Sequence, residues 1–143
     1  MRTIQIPPDI LTEEQCLAYL QSQLWGGAAP ICPYCGSKRV TILKERGRYH
    51  CNGCNSPYSI TAQTIFHHSH LPLHKWFVTV ASVLEDKDRI SARKLALLLG
   101  INRNTANDMI KRINQRMKEA EHRVLLEAIA TMVFAVRDNT PKE

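Results

Sequence analysis

The chain has 143 residues, 44% of them hydrophobic, with five cysteines and a net charge of +6. This length suits one ordinary domain or two small ones, and the normal apolar content predicts a folded protein. The N-terminus lacks the basic start and apolar run of a secretory signal. The longest apolar stretch, residues 124–136, is broken by Glu127 and is too short to span a bilayer. We therefore expect a cytoplasmic protein with no membrane partner.

The positive charge is concentrated in the centre of the chain. Residues 1–31 and residues 119–143 each have a net charge of −2, whereas residues 32–118 hold fifteen Lys/Arg against five acids. A net charge of +10 in one segment is typical of a nucleic-acid-binding surface. A solvated basic face has the same composition, so the charge alone does not choose between these two interpretations.

The first predicted element is a helix that follows Thr12. Thr12 and Gln15 have the spacing of a capping box, and Gly26 and Gly27 are typical of a helix end. Cys16 falls inside this helix. We expect it to be a small buried thiol, with a fifth metal ligand or a redox group as the alternative.

Two C-x2-C pairs follow, separated by fifteen residues. This spacing in a reducing compartment predicts one structural Zn²⁺ held by four thiolates. A closed four-cysteine site leaves no coordination position for a reacting water, so the pattern points away from metal catalysis. The predicted ligands are Cys32, Cys35, Cys51 and Cys54.

The residues between the cysteines predict a small zinc ribbon. The β-type runs at residues 40–43 and 48–50 flank a turn at residues 44–47 and form a hairpin. Gly36 and Asn55 each follow a second cysteine, where the chain folds back over the metal and positive φ is useful. So small a core needs the metal, whose binding contributes on the order of 10 kcal/mol to folding in comparable peptides.

Three helices are predicted after the ribbon. The first follows Pro72 and carries Trp76, Phe77, Val80 and Leu84 at helical spacing. A short second helix runs from an N-cap at Ser91 to Gly100, and Asn102 is the N-cap of the third. Small and apolar residues at the contacts between the second and third helices favour a DNA-binding helix-turn-helix over an ordinary helical hairpin.

The third helix has the side chains expected of a recognition helix. Arg and Asn make bidentate contacts to guanine and adenine edges in the major groove, and such residues crowd its first turns. The later basic residues of this helix, and the Lys and Arg residues of the preceding helix and of the ribbon, are expected to contact phosphates. The predicted DNA-binding residues are Arg103, Asn104, Thr105, Asn107, Lys111, Arg112, Arg116, Lys38, Arg39, Arg48, Arg93 and Lys94.

Beyond Met117 the pattern stays helical, with a broad apolar face that includes Leu125, Ile129 and Val133. We expect this helix either to pack within the chain or to form a homodimer interface, which would suit a reader of paired DNA half-sites. Upstream, the local cluster of His67, His68, His70 and His74 invites a second metal site. Contacts to phosphate or helix capping are the favoured alternatives, because no cysteine or carboxylate completes the cluster.

Together these elements predict an α+β fold: a four-cysteine zinc ribbon, a three-helix helix-turn-helix unit and a long C-terminal helix. The expected segments are an N-terminal helical segment at residues 1–29, the ribbon at residues 30–70, the helix-turn-helix domain at residues 71–117 and the C-terminal helix at residues 118–143.

Six motifs in this chain resemble a known family. Residues 32–37 (CPYCGS), 49–54 (YHCNGC), 58–66 (YSITAQTIF) and 70–76 (HLPLHKW) resemble the N-terminal zinc ribbon of bacterial insertion-sequence transposases. Residues 90–95 (ISARKL) and 104–106 (NTA) look like the helix-turn-helix that precedes the DDE catalytic domain in that family. The resemblance implies a transposon-end DNA-binding module with the same four cysteines as zinc ligands.

The chain departs from this family after the helix-turn-helix. Members continue into an RNase H-like domain whose three carboxylates hold two catalytic metals. Only 26 residues follow Met117, whereas such a domain needs on the order of 100. No P-loop, nucleophile elbow or HExxH motif occurs either. We therefore expect neither nuclease activity nor any other enzymatic activity, and no small-molecule substrate.

The sequence thus predicts a sequence-specific double-stranded DNA-binding protein, a transposase-derived regulator or repressor associated with a bacterial nucleoid. One alternative is the DNA-end-binding subunit of a two-part or frameshifted transposase. Another is an adaptor or inhibitor whose zinc ribbon binds protein. The last is a nuclease that uses the histidine cluster.

Overall fold

The computed structural model describes residues 6–7, 9–26, 30–45, 47–62, 64–67, 71–85 and 90–139. Within these ranges the fold is mixed α+β, with three strands in one sheet and five helices. The chain divides into two compact units, one made of Glu13–Ser69 and the other of Met1–Thr12 together with His70–Glu143. The predicted α+β class is confirmed at this level.

The unit Glu13–Ser69 contains α1 (Glu13–Trp25), β1 (Val40–Ile42), β2 (Arg48–Cys51) and β3 (Ser56–Ser59). The strands are antiparallel in the order β1-β2-β3, and Val40 pairs with Cys51 while Cys51 pairs with Ser56. The predicted hairpin of β1 and β2 is confirmed. Because β3 is an edge strand, it tolerates Pro57, a residue that argues against a central strand.

Aromatic side chains connect α1 to the sheet. Trp25 packs edge-on against Tyr49, with ring centroids 5.5 Å apart, and Tyr49 lies 5.4 Å from Tyr58. The Gln21 side-chain amide donates a 2.8 Å hydrogen bond to the Tyr49 hydroxyl. Leu20 is fully buried. The helix of segment 1–29 and the ribbon segment 30–70 are therefore parts of one compact unit.

The helical unit contains α2 (Leu73–Glu85), α3 (Ala92–Leu99), α4 (Arg103–Arg116) and α5 (Ala120–Asn139). Helix α2 packs against both α4 and α5, and its residues from Trp76 to Ala81 are all buried. Helix α5 instead buries the single stripe Leu126, Ile129, Ala130 and Val133. Its broad apolar pattern suggested burial on several sides, but α2 is the helix that neighbours surround.

The turn between α3 and α4 is fixed by three caps. The Ser91 hydroxyl accepts a hydrogen bond from the Lys94 backbone N–H at 3.1 Å. Gly100 ends α3 in the left-handed conformation, with φ of 66°. The Asn102 side chain accepts from the Asn104 N–H at 2.7 Å and starts α4. All three predicted caps are confirmed.

An ion pair joins the C-terminal parts of α2 and α5. The Arg137 guanidinium lies 2.6 Å from a carboxylate oxygen of Glu85, fifty-two positions earlier, and also contacts Asp138 at 3.2 Å. These contacts raise the pKa of Arg137, chiefly through the hydrogen bond to Glu85. Among the described residues, no helix has the length and apolar character needed to cross a membrane.

Ile129→Ala tests the packing of α5. Ile129 is fully buried, so its truncation should lower the free energy of unfolding of the helical unit by about 2–5 kcal/mol. Val124→Ala is the control, because Val124 is 66% exposed on the same helix and should change stability by less than about 0.5 kcal/mol. Urea unfolding followed by Trp76 fluorescence, in a Trp25→Phe background, measures both. Equal effects would contradict the packing described.

Candidate functional site

The four cysteine sulfurs converge on one point. All lie within 4.8 Å of one another, with Cys32 Sγ 3.8 Å from Cys54 Sγ and Cys35 Sγ 3.5 Å from Cys51 Sγ. A zinc ion with four Zn–S bonds of about 2.3 Å places its sulfurs about 3.8 Å apart in a tetrahedron. The cluster therefore has the spacing that a four-thiolate zinc site requires.

Each cysteine pair forms a turn in which a backbone N–H donates to the sulfur of the first cysteine of the pair. The Tyr34 N–H donates to Cys32 Sγ and the Cys54 N–H donates to Cys51 Sγ, both at 3.4 Å. Gly36 has φ of 76° and Asn55 has φ of 60°. Both positive φ values were predicted from the sequence and are confirmed. The two turns are called the first knuckle (residues 32–37) and the second knuckle (residues 51–55) below.

Backbone hydrogen bonds fix both knuckles at the end of the sheet. The Cys32 N–H donates to the Ser37 carbonyl at 3.0 Å within the first knuckle, and the Asn52 N–H of the second knuckle donates to the carbonyl of Arg39, two residues after the first, at 2.7 Å. A Cβ on Gly53 would stand only 2.8 Å from the Ser37 Cβ. A glycine is therefore required where the second knuckle passes the first.

Proton affinities in the cluster are unequal. The pKa of Cys51 falls to about 6, mainly because the Cys54 N–H donates to its sulfur. Around Cys35, a backbone hydrogen bond from Ser37 favours the thiolate, but the hydrogen bond with Cys51 and desolvation together raise its pKa to about 12. The lowered pKa of Cys51 favours its thiolate, which is the form in which a cysteine ligates a metal.

The donor set fits a metal that prefers four thiolates. Cys32, Cys35, Cys51 and Cys54 would hold it, and Zn²⁺ is the common ion for a tetrahedral four-sulfur site. Such an ion would supply a cross-link between the two knuckles. Because all four ligands come from the protein, this site suits a structural role.

Other candidate ligands lie apart from this cluster. Cys16 is fully buried in α1, and burial followed by the nearby Glu13 carboxylate raises its pKa to about 12, as expected for a buried thiol. His50 Nε2 lies 2.9 Å from the Asn55 side-chain oxygen. His68 and His70 are outside the described residues. Within the described part, the four cysteines form the one group of three or more such side chains close enough to share a metal.

The basic residues predicted to bind DNA through the ribbon are exposed. Lys38 and Arg39 directly follow the first knuckle. Arg48 begins β2 and lies 4.0 Å from Glu45 in a solvent-exposed ion pair, which contributes little to stability. These three positions stay predictions as DNA contacts.

The predicted contacts on α3 and α4 fall into two groups. Arg103, Asn104, Asn107 and Lys111 of α4, and Arg93 and Lys94 of α3, are exposed, and Thr105 is half-buried.

The other group already has partners within the protein. The Arg112 guanidinium stands 5.5 Å from the ring centroid of Trp76, which is buried in α2. Arg116 pairs with Glu119 at 3.4 Å. The sequence pattern did not reveal the contact of Arg112 with Trp76, because it depends on how α2 crosses α4.

Comparison with known proteins identifies one segment. Residues 11–66 match the family model of the transposase zinc-ribbon domain. The matched segment includes α1, the sheet and all four cysteines, and it covers less than half of the chain. Neither a curated protein nor a solved structure matches this chain.

Gly53→Ala tests the contact between the knuckles. The added Cβ would meet Ser37 and force the knuckles apart, so we expect zinc affinity to fall by roughly 10- to 100-fold. Competition with a chromophoric chelator measures this change. Adding Ser37→Gly removes the opposing Cβ and should restore most of the affinity. Wild-type affinity in Gly53→Ala alone would show that the knuckles do not approach so closely.

Proposed function

We propose that this chain is a sequence-specific double-stranded DNA-binding protein in which α3 and α4 form a helix-turn-helix and α4 reads the major groove. The observation that carries this proposal is the exposed first part of α4. There Arg103, Asn104 and Asn107 lie on the solvent side of a helix whose opposite side, with Ala106 and Met109, is buried.

The turn between α3 and α4 supports this role. Gly100 and the Asn102 cap connect the helices through a short turn, in which the Ile101 N–H donates to the Ala96 carbonyl at 3.0 Å. Ala106 is fully buried, and its small side chain lets the helices cross closely. This geometry presents the N-terminal end of α4 outward, which is the end that reaches base edges in helix-turn-helix proteins.

Different residues would supply specificity and affinity. Arg103 and Asn104 have the donors and acceptors for bidentate contacts to guanine and adenine. Lys111 on α4, with Arg93 and Lys94 on α3, would neutralise phosphates. Arg112 has a positioning role in this scheme, because its stack on Trp76 fixes it against α2. Affinity should fall with salt, with a logarithmic slope of about −0.9 for each phosphate neutralised.

The ribbon would contribute a second basic surface. Lys38 and Arg39 are exposed beside the first knuckle, and bound zinc would fix the backbone on which they stand. The match to a transposase zinc-ribbon domain supports a nucleic-acid-binding role for this unit. We propose that the protein binds DNA without cleaving it. Incubation of a plasmid with the protein and Mg²⁺ or Mn²⁺ tests this absence of cleavage, and the plasmid should stay intact.

Two biological roles fit such a protein. One is a transcriptional regulator or repressor, acting in the cytoplasm on a bacterial nucleoid. The other is the DNA-end-binding part of a transposase, which the family match specifically favours. Selection of bound sequences from a random duplex pool and from a genomic library separates them, because a regulator selects promoter regions and a transposase part selects element ends.

A homodimer through α5 belongs to the regulator proposal. Helix α5 packs against α2 through one stripe and leaves Val124 exposed, together with Ala120 and Glu127. Paired half-sites in the selected DNA would support a dimer. A single asymmetric site, with a monomer in sedimentation, would contradict it. An adaptor that binds protein instead would select no DNA sequence at all.

Arg103→Ala and Asn104→Ala test the reading helix. Each should weaken binding to the selected duplex by about 1–3 kcal/mol and relax preference at one base position. Arg123→Ala is the matched control, since it removes the same charge from an exposed position on α5. Fluorescence anisotropy against the selected duplex and its single-base variants measures both effects. If Arg103→Ala and Arg123→Ala behave alike, α4 is not the reading element.

A further inference from the structure

Tyr34 is an aromatic side chain displayed at the tip of the first knuckle. It is 61% exposed, whereas Tyr49 and Tyr58 of the same unit are buried against each other. Within the described part of the chain its hydroxyl makes no hydrogen bond. A ring exposed at this position contributes little to the core and is accessible to a ligand.

The backbone that carries Tyr34 is fixed on both sides. The Tyr34 N–H donates to Cys32 Sγ at 3.4 Å. The preceding residue is Pro33, whose ring fixes its own φ angle. Downstream, the Gly36 N–H donates to the Cys32 carbonyl at 3.0 Å. The ring therefore stands on a rigid backbone. Because this backbone is already ordered, binding of a ligand over the ring would cost the protein little conformational entropy.

The surroundings of Tyr34 are cationic. Lys38 and Arg39 follow the knuckle and are both exposed. The unit Glu13–Ser69 holds five Lys/Arg and three acids. Glu13 and Glu14 begin α1 and Glu45 lies at the hairpin turn, whereas the pairing of Val40 with Cys51 places the knuckles at the opposite end of the hairpin. An aromatic face beside two cationic side chains is complementary to a nucleotide strand.

We propose that Tyr34 is a stacking platform for an unpaired nucleobase, with Lys38 and Arg39 holding the adjoining phosphates. Bases inside a duplex are covered by their neighbours, so an aromatic ring can stack only on a base that is unpaired or at a duplex end. The ligand is therefore DNA with a single-stranded extension or a frayed end. This inference deepens the proposed function and rests on it, since it adds a second DNA contact to that of α4.

The experiment compares a blunt duplex with the same duplex carrying a short single-stranded extension that contains 2-aminopurine. The full-length, zinc-loaded protein should prefer the extended duplex and should quench the 2-aminopurine fluorescence. Tyr34→Ala should lower affinity for the extended duplex by about 5- to 150-fold. It should lower blunt-duplex affinity much less, because a blunt duplex offers only its terminal base pairs for stacking. Tyr34→Phe keeps the ring and should retain both the preference and the quenching.

Because the Tyr34 side chain is exposed, its replacement should leave the knuckle intact. Zinc content measured on each variant checks this. Three results would overturn the proposal: no preference for the extension in the wild-type protein, equal loss in Tyr34→Phe and Tyr34→Ala, or unchanged DNA binding in Tyr34→Ala. Equal loss would indicate a hydrogen bond from the hydroxyl to phosphate. Unchanged binding would assign the exposed ring to a protein partner.

The failures of the two proposals are distinguishable. If the blunt duplex is bound in a manner that depends on Arg103 but the extension adds nothing, the stacking platform is wrong and the reading helix stands. If the wild-type protein binds neither duplex, the proposed function fails together with this inference.

Discussion

The convergence of four sulfurs on one point is the constraint on which the ribbon depends. The sheet has only three strands of three or four residues each, and the knuckle that precedes β1 meets the knuckle that follows β2 at the end of that sheet. The buried apolar residues of this unit include Leu20 of α1, Tyr49 and Tyr58 of the sheet, and Ile65 and Phe66 after it. The pKa values of Cys51 and Cys35 shift in opposite directions. A metal bound by all four sulfurs would cross-link the knuckles.

The helical unit depends on a different kind of interaction. Its stability comes from burial of α2 between α4 and α5. Among the described residues of this unit, one long-range ion pair, between Glu85 and Arg137, adds to this packing. The exposed side of α4 takes no part in this packing, which leaves its polar side chains available for a ligand. In the proposed function, stability and recognition would therefore depend on opposite sides of the same helix.

Much of this structure was predictable because its signals are local. The four ligands follow from C-x2-C spacing, and the positive φ values of Gly36 and Asn55 follow from their places after the second cysteines. Ser91, Gly100 and Asn102 act within a turn of the residues they cap. Cys16 was correctly predicted as a buried thiol, because a small apolar side chain inside an amphipathic helix is usually in the core.

What the sequence did not reveal depends on tertiary arrangement. Periodicity could not show that α2, rather than α5, is the surrounded helix. Burial of α2 depends on which helices flank it, and no local pattern specifies neighbours. The stack of Arg112 on Trp76 was missed for the same reason.

The match to a transposase zinc-ribbon domain and the exposed face of α4 concern different units of the protein. The metal is proposed to hold one unit, and the packing of α2 is observed to hold the other. We therefore propose that the ribbon is a separately stabilised body whose order depends on the metal held by its four cysteines.

Hydrogen exchange with and without a strong chelator tests this dependence on the metal. We expect the purified protein to release one zinc per chain on chelation. Protection should then be lost across the ribbon, including the Asn52 N–H that donates to Arg39, while α2 and α5 keep theirs. A protein that contains no zinc, or a ribbon whose amides stay protected after the metal is gone, would contradict it.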